Sequence, residues 1–294
     1  MQLLTALFSY NRYYLLKNTI DSWIEFGPGG DLLIIDDGSD DLRLVSYLKE
    51  LTNRNRITVI QRNQNHLNVH GGLYANMTLA TQYAIDHAYE YIFFLQDDVQ
   101  FMWRDEQFLD RIRTIFATCT DAAMITPFFH RAIMARQMRK RLIPHASGLC
   151  WHLLPYGIID IGIMPVQLLK EKKYIFRNSE TENSFAWKAW GYKLYSMPAP
   201  ILAFIPWPEV RSSGRKMGFE RLPKRKYFLK PLNEERIAKL KNQGLSIADH
   251  EDYCLPWGWS CLSPYWFTKF SNEYWKYLWK SIRHNERWPK WIRG

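Results

Sequence analysis

The residues with the clearest chemical potential are two neighbouring carboxylates, Asp97 and Asp98, directly after the apolar run Tyr91-Ile92-Phe93-Phe94-Leu95. Adjacent carboxylates at the end of a buried strand are costly unless a cation or hydrogen bonds satisfy them. A hard divalent ion, Mg2+ or Mn2+, takes oxygen ligands and is commonly shared between one or two carboxylates and phosphate oxygens. A diphosphate leaving group needs such an ion to neutralise its charge. The competing use is structural, because Asp pairs are frequent in turns and helix caps. A second doublet, Asp36-Asp37, follows Leu32-Leu33-Ile34-Ile35 and leads into Gly38-Ser39. A tight turn explains the glycine, which accepts positive φ, but not two acids. A carboxylate there can accept a hydrogen bond from a base N–H or a ribose hydroxyl. A third polar cluster, Ser9-Tyr10-Asn11-Arg12, follows Leu3 to Phe8.

The elements that position these clusters are legible as alternating strand and helix patterns. After Leu3 to Phe8 comes a helical pattern with Tyr14, Leu15, Ile20 and Trp23 on one face, ended by Gly27-Pro28-Gly29-Gly30. Leu32 to Ile35, Ile57 to Ile60 and Tyr91 to Leu95 read as further strands, with helices over Leu42 to Leu51 and Asn76 to Ala88 between them. Short strand–helix alternation predicts an α/β fold with a doubly wound, mostly parallel central sheet and helices on both faces. Ligands bind such sheets outside the carboxyl ends of the strands, and all three polar clusters fall there. The second half is less regular. Gly148 to Met164 reads as strands with turns at Pro155-Tyr156-Gly157, Ser179 to Tyr192 as a helix ending at Gly191, and Leu232 to Gln243 as another helix.

Together the clusters resemble the inverting family 2 glycosyltransferases of the GT-A fold. The resemblance is carried by the strand ending Ser9-Tyr10-Asn11-Arg12, by Leu33-Ile34-Ile35-Asp36-Asp37-Gly38-Ser39 and by Phe93-Phe94-Leu95-Gln96-Asp97-Asp98, with a looser match from Asn65 to Asn76 that includes Gly71-Gly72. It implies that Ser9, Tyr10 and Arg12 flank a nucleotide, that Asp36 or Asp37 contacts base or ribose, and that Gly71, Gly72 and Asn76 belong to the same donor site. Asp98 then becomes the metal ligand, with Mn2+ or Mg2+ as cofactor, and Asp97 a ribose or sugar contact. The family's acidic base lies at the start of a helix ending in Gly-Tyr. Here that segment runs from Ser179 to Tyr192 and carries Glu180 and Glu182 in place of the usual Glu-Asp. An inverting transfer needs a carboxylate to deprotonate the acceptor hydroxyl, and a helix N-terminus keeps it ionised. Ser179-x-x-Glu182 is also a capping box, which favours Glu180 as the base. Gly157, Asp160 and Gly162 fall where the family builds its acceptor wall, although close strand packing explains the glycines equally well. His250 matches a late histidine that ligates metal in some GT-A enzymes, against the simpler reading of a solvated acidic turn. Arg211, Arg215 and Lys216 read either as a loop over the diphosphate or as a solvated basic patch.

The implied reaction moves one sugar from a nucleotide-diphosphate donor to a hydroxyl acceptor, a glycan or lipid-linked glycan in cell-surface polysaccharide synthesis. The Gln-x-x-Arg-Trp signature of processive members is missing after Gln137, which points to single-sugar transfer. A nucleotidyltransferase on the same sheet is the first alternative, but Ser9 to Arg12 lacks the glycine-rich phosphate loop it requires. A non-catalytic nucleotide-sugar-binding or scaffolding protein is the second, left open by the altered base segment.

Composition sets the remaining bounds. The 294 residues are 47% hydrophobic and carry a net charge of +10, enough for one substantial core and suited to anionic partners. No nucleic-acid-binding motif accompanies that charge, so nucleic acid is not an expected partner. The expected organisation is a nucleotide-sugar and acceptor domain over 1–210, followed by a basic loop and helical C-terminal extension over 211–294. That extension interleaves Trp266, Trp275, Trp279, Trp288 and Trp291 with Lys and Arg, a mixture suited to an anionic membrane surface or to an oligomer interface. Cys119, Cys150, Cys254 and Cys261 form no Cys-x-x-Cys pair and read as reduced thiols rather than a zinc site or disulfide framework. With no signal peptide pattern and no apolar run long enough to span a bilayer, the expected location is cytoplasmic, peripheral at the inner face of the membrane.

Overall fold

Unbroken apolar runs make strands that are buried on both sides, since alternate residues face opposite ways. The computed structural model describes residues 2–62, 72–129, 142–153, 160–205 and 226–244. In chain order its elements are Leu3–Ser9 (β1), Tyr13–Phe26 (α1), Asp31–Asp36 (β2), Leu42–Leu51 (α2), Ile57–Gln61 (β3), Leu73–Asp86 (α3), Tyr91–Gln96 (β4), Val99–Phe101 (β5), Phe108–Thr118 (α4) and Ala122–Thr126 (β6). They continue with Leu142–Pro144 (β7), Trp151–Leu153 (β8), Gly162–Pro165 (β9), Val166–Glu171 (α5), Glu180–Ala189 (α6), Lys193–Ser196 (β10), Leu202–Phe204 (β11) and Glu234–Gln243 (α7).

Alternation along the strands builds two apolar layers. Leu7, Ile34, Phe93 and Leu95 face one cluster, which takes Leu16 and Ile20 from α1, Leu48 from α2 and Ile112 from α4. Ala6, Phe8, Ile35 and Phe94 face the other, which takes Met77 and Ala80 from α3, Leu169 from α5 and Trp187 from α6. Helices therefore cover both faces of the sheet. Among the described residues the strand order is β3-β2-β1-β4-β9-β6-β10-β8-β7, with β5 and β11 paired separately. The sheet is mostly parallel, but β9 runs antiparallel between β4 and β6, and the β7–β8 hairpin forms an antiparallel edge against β10. Because β9 is reversed, its beginning lies at the edge where β4 ends, with Gly162 opposite Phe94.

The helix expected over Asn76 to Ala88 begins earlier, at Leu73, and ends at Asp86. Its start is fixed by the Gly72 N–H, which donates to Asp37 Oδ2 at 2.7 Å, a tertiary contact with no local sequence signal. The helix expected to reach Gly191 closes at Ala189, and Gly191 adopts φ +81 beyond it. The short strands β5 and β10 carry too few residues to show a period, whereas α4, missed in the sequence, buries Phe108, Ile112 and Ile115 at helical spacing. Of the 211–294 stretch, residues 226–244 are described and pack on the preceding fold. The buried amide of Gln100 on β5 donates to Leu229 O at 2.7 Å and accepts from Leu229 N at 2.8 Å, and Leu229, Leu232 and Leu240 join the first apolar cluster. The tryptophan-rich tail, Arg211 to Lys216 and Pro155 to Gly157 lie outside the described residues. No described helix is long and apolar enough to cross a membrane.

Gly162 lets β9 enter between its neighbours. A Cβ at this position would meet Met124 Sδ at 2.6 Å and Ile125 O at 3.0 Å. Gly162→Ala should therefore destabilise the protein by about 1–3 kcal/mol through overpacking, seen as a lower urea midpoint with an unchanged m-value. A midpoint equal to wild type would show that β6 yields freely.

Candidate active site

Parallel pairing forces the ends of β1, β2 and β4 onto one line. Ser9 pairs with Asp36, and Phe8 pairs with Gln96. Asp97, one residue past β4, is 2% exposed. Its carboxylate accepts from Ser9 Oγ at 3.1 Å and from Arg12 Nη1 at 2.9 Å. Its carbonyl accepts from Thr19 Oγ1 of α1 at 2.9 Å. Burial raises its pKa to about 6, with Asp98 adding to the rise while Arg12 and Ser9 oppose it. Asp98 is 8% exposed, its carbonyl accepts from Ile205 N at 2.8 Å, and its carboxylate exerts charge on Arg12, Asp97 and Asp160. Tyr10, at the same strand end, is half exposed.

The Asp36-Asp37 doublet is engaged in holding loops. Asp36 accepts from Ser39 N at 2.9 Å and Ser39 Oγ at 2.5 Å, closing the turn after β2. Asp37 accepts from Gly72 N and, at 3.0 Å, from Asn76 Nδ2, and the Asn76 amide oxygen accepts in turn from Arg62. A Cβ on Gly72 would sit 2.5 Å from Asp37 Oδ1, so a larger residue would displace that carboxylate. Asn11, at φ +52, joins the β1 and β2 ends. Its N–H donates to Ser39 Oγ at 2.8 Å, and its amide oxygen accepts from the N–H groups of Asp40 and Asp41 at 2.9 and 3.1 Å. Sequence reading placed Asn11 in the right cluster without giving it this role. The signal was available, since asparagine tolerates the left-handed region better than other non-glycine residues.

Across β4 lies an acidic group. Gln96 Nε2 donates to Asp160 Oδ2 at 2.7 Å. Burial and the Glu180 carboxylate push the Asp160 pKa up to about 7, with Asp98 contributing in the same direction. Asp160 thus senses both the β4 end and the start of α6. Burial, Asp160 and Glu180 also raise the pKa of Tyr74 on α3, which brings that phenol into the group. Glu180 is half-buried and Glu182 exposed. Ser179 Oγ accepts from Glu182 N at 3.2 Å, so Ser179 caps α6 as the sequence suggests. Gly71 and His250 lie outside the described residues.

The donor set suits a hard dication. It consists of carboxylate oxygens, two of them adjacent and desolvated, and the proton affinity of Asp97 is raised because no nearby cation fully offsets its burial and Asp98. A doubly wound sheet with this polar edge is a GT-A fold. The chain belongs to glycosyl transferase family 2, whose model matches residues 6–158, just over half of the 294. Similar solved structures include S. aureus TarS 1-349, with TM-score 0.50 and 15% identity over 69% of this chain and 60% of that one. GalNAc-T7 with UDP, GalNAc and Mn2+ matches at TM-score 0.51 and 14% identity, over 69% of this chain and 44% of that one. The mannosyltransferase PcManGT from Pyrobaculum calidifontis, in complex with GDP-Man and Mn2+, matches at TM-score 0.51 and 13% identity, over 71% of this chain and 58% of that one. The chain thus spans about 44–60% of the length of these structures. No curated protein sequence matches it significantly.

The raised proton affinity of Asp97 sets a pH dependence whose sign is fixed. The folded state holds this proton more tightly than the unfolded chain, so stability falls as pH rises from 3.8 through about 6. Urea unfolding of wild type and Asp97→Asn in chelator should show wild type losing up to about 3 kcal/mol relative to the variant across that window, with no further divergence above it. Parallel profiles would contradict the burial of a titrating carboxylate.

Proposed function

We propose that the chain transfers a single sugar from a nucleoside-diphosphate sugar to a hydroxyl acceptor with inversion, using Mn2+ or Mg2+. The observation that carries the reading is the shared edge. Asp97-Asp98 ends β4 beside Ser9 and Asp36, and Asp160 couples Asp98 to Glu180 across it. UDP and GDP-Man, each with Mn2+, accompany two of the similar structures, and this supports a nucleotide donor and a divalent ion here.

In this reading Asp98 would hold the ion, with Asp97 kept rigid by Ser9 and Arg12 and facing the ribose or donor sugar. Once bound, the ion supplies charge neutralisation to the departing diphosphate. Ser9, Tyr10 and Arg12 flank the nucleotide. Asp37 keeps Gly72 and Asn76 close to the β2 end, which shapes the floor under the base. The acceptor hydroxyl attacks the anomeric carbon as the bond to the diphosphate oxygen breaks, and Glu180 takes the hydroxyl proton. Its partial exposure and position in the first turn of α6 leave it reachable. Glu182, exposed and with its N–H committed to the cap, is the weaker candidate. Asp160 lines the acceptor side and, when ionised, repels negative charge from it. The acceptor class this suits is an uncharged glycan hydroxyl, free or lipid-linked.

Transfer and donor hydrolysis measured over a panel of UDP-, GDP- and dTDP-sugars test the assignment. Asp98→Ala should abolish both. Glu180→Gln should lower kcat for transfer by about 100-fold or more and leave the donor KM within a few-fold. Glu182→Gln should stay near wild type. Full transfer by Glu180→Gln would remove it as base, and full activity of Asp98→Ala would remove the metal assignment.

A further inference from the structure

Outside the polar edge, the described residues bring together one compact group of soft ligands. Cys119 follows α4 and Cys150 immediately precedes β8, which lies four strands along the sheet from β4. Their Sγ atoms are 3.3 Å apart and both residues are buried. His145, in the loop between β7 and β8, completes the group, with one ring nitrogen and the two sulfurs all within 4.8 Å of one another. The spacing 119, 145, 150 carries no recognisable signature, because the ligands come from a helix end and a hairpin loop that only the fold makes adjacent.

The loop is built to hold this arrangement. His145 N donates to Cys150 O at 2.9 Å and Gly148 N donates to His145 O at 2.9 Å, so the imidazole and the thiol face each other from the two ends of a closed turn. Ser147 Oγ lies 2.8 Å from His145 Nδ1. Ser147 N also donates to Nδ1 at 3.2 Å, so a metal at Nε2 would shift the ring proton to Nδ1, where Ser147 Oγ can accept it. The Tyr195 ring packs edge-on at 5.8 Å from the His145 ring, and the Tyr195 hydroxyl donates to Asp121 at 2.8 Å. Asp121 is itself paired with Lys193 at 2.8 Å, so this side of the group is braced by the fold.

We propose that Cys119, His145 and Cys150 bind a zinc ion, with water in the fourth position, and that this ion ties the β7–β8 loop to the end of α4. The charges balance, since two thiolates and a neutral imidazole around Zn2+ give a neutral complex suited to a buried site. Each thiol releases its proton to solvent as the metal enters. Tetrahedral zinc with bonds of about 2.3 Å holds two sulfurs about 3.8 Å apart, so the observed 3.3 Å needs an opening of only about half an ångström. The sulfur–nitrogen set also separates this site from the all-oxygen edge at Asp98, which takes a harder cation.

Cobalt titration of the metal-stripped, reduced full chain tests the site, with excess Mg2+ present to occupy oxygen ligands. The expected result is a thiolate-to-cobalt charge-transfer band with tetrahedral visible bands, saturating at a single equivalent and abolished by added zinc. Cys119→Ser and Cys150→Ser should each lose the charge-transfer intensity, whereas Cys254→Ser and Cys261→Ser should keep it. His145→Gln, at a half-exposed loop position where folding is least at risk, should weaken cobalt binding by at least about tenfold. The proposal is overturned if wild type shows no charge-transfer band, if His145→Gln binds with unchanged affinity, or if the band persists in Cys119→Ser or Cys150→Ser. Peptide mapping of the protein purified without reductant that finds Cys119 joined to Cys150 would also overturn it.

Discussion

The Arg12–Asp97 ion pair sits where β1 and β4 end side by side, and much of the functional edge depends on it. A carboxylate as buried as Asp97 is costly unless its oxygens are met by donors. Here one oxygen takes Arg12 and the other takes Ser9. These contacts tie the β4 turn to the end of β1 and the residue that caps α1, and Thr19 within that helix holds the Asp97 and Val99 carbonyls. The backbone that presents Asp98 is thus fixed from two directions, and Ile205 N fixes it from a third. Such an arrangement spends stability to hold a charged side chain in place, which is how binding and catalytic sites are commonly built.

The carboxylates along this edge divide into two kinds. Asp36 and Asp37 meet backbone and side-chain N–H groups and the Ser39 hydroxyl, and so act as braces for the turn after β2 and for the start of α3. Asp97, Asp98, Asp160 and Glu180 are linked through their charges, and Arg12 offsets only part of the cost at Asp97. That contrast separates a pair whose oxygens hold loops from a group whose charges face one another. It also explains why the second group is the one to which a divalent ion and an acceptor proton would be delivered.

The first hundred residues were largely legible in sequence. Their strands are unbroken apolar runs, and parallel pairing then leaves the polar clusters no choice but a common edge. Long-range contacts, which leave no local pattern, decide the rest. Gly72 begins α3 because of Asp37, thirty-five residues earlier. Asp160 faces Gln96 because β9 is reversed and slides between β4 and β6 past Gly162. Cys119 and Cys150 looked unrelated because their proximity depends on a hairpin three residues per strand long, too short to show a period. Helix caps were easier, and Ser179 closes α6 as its spacing suggested. The division of labour within each Asp pair was not visible at all, since it depends on which oxygen meets which N–H.

The central claim is that the Asp97-Asp98 edge binds a nucleoside diphosphate through a hard dication. Calorimetric titration of UDP, GDP, CDP and dTDP into the protein, in Mn2+ and again in excess chelator, tests it most directly. The account predicts saturable binding of at least one of them in Mn2+, loss of that binding in chelator, and the same loss in Asp98→Asn with Mn2+ present. Binding of equal strength in chelator or in Asp98→Asn, or no binding of any of the four in Mn2+, would contradict it.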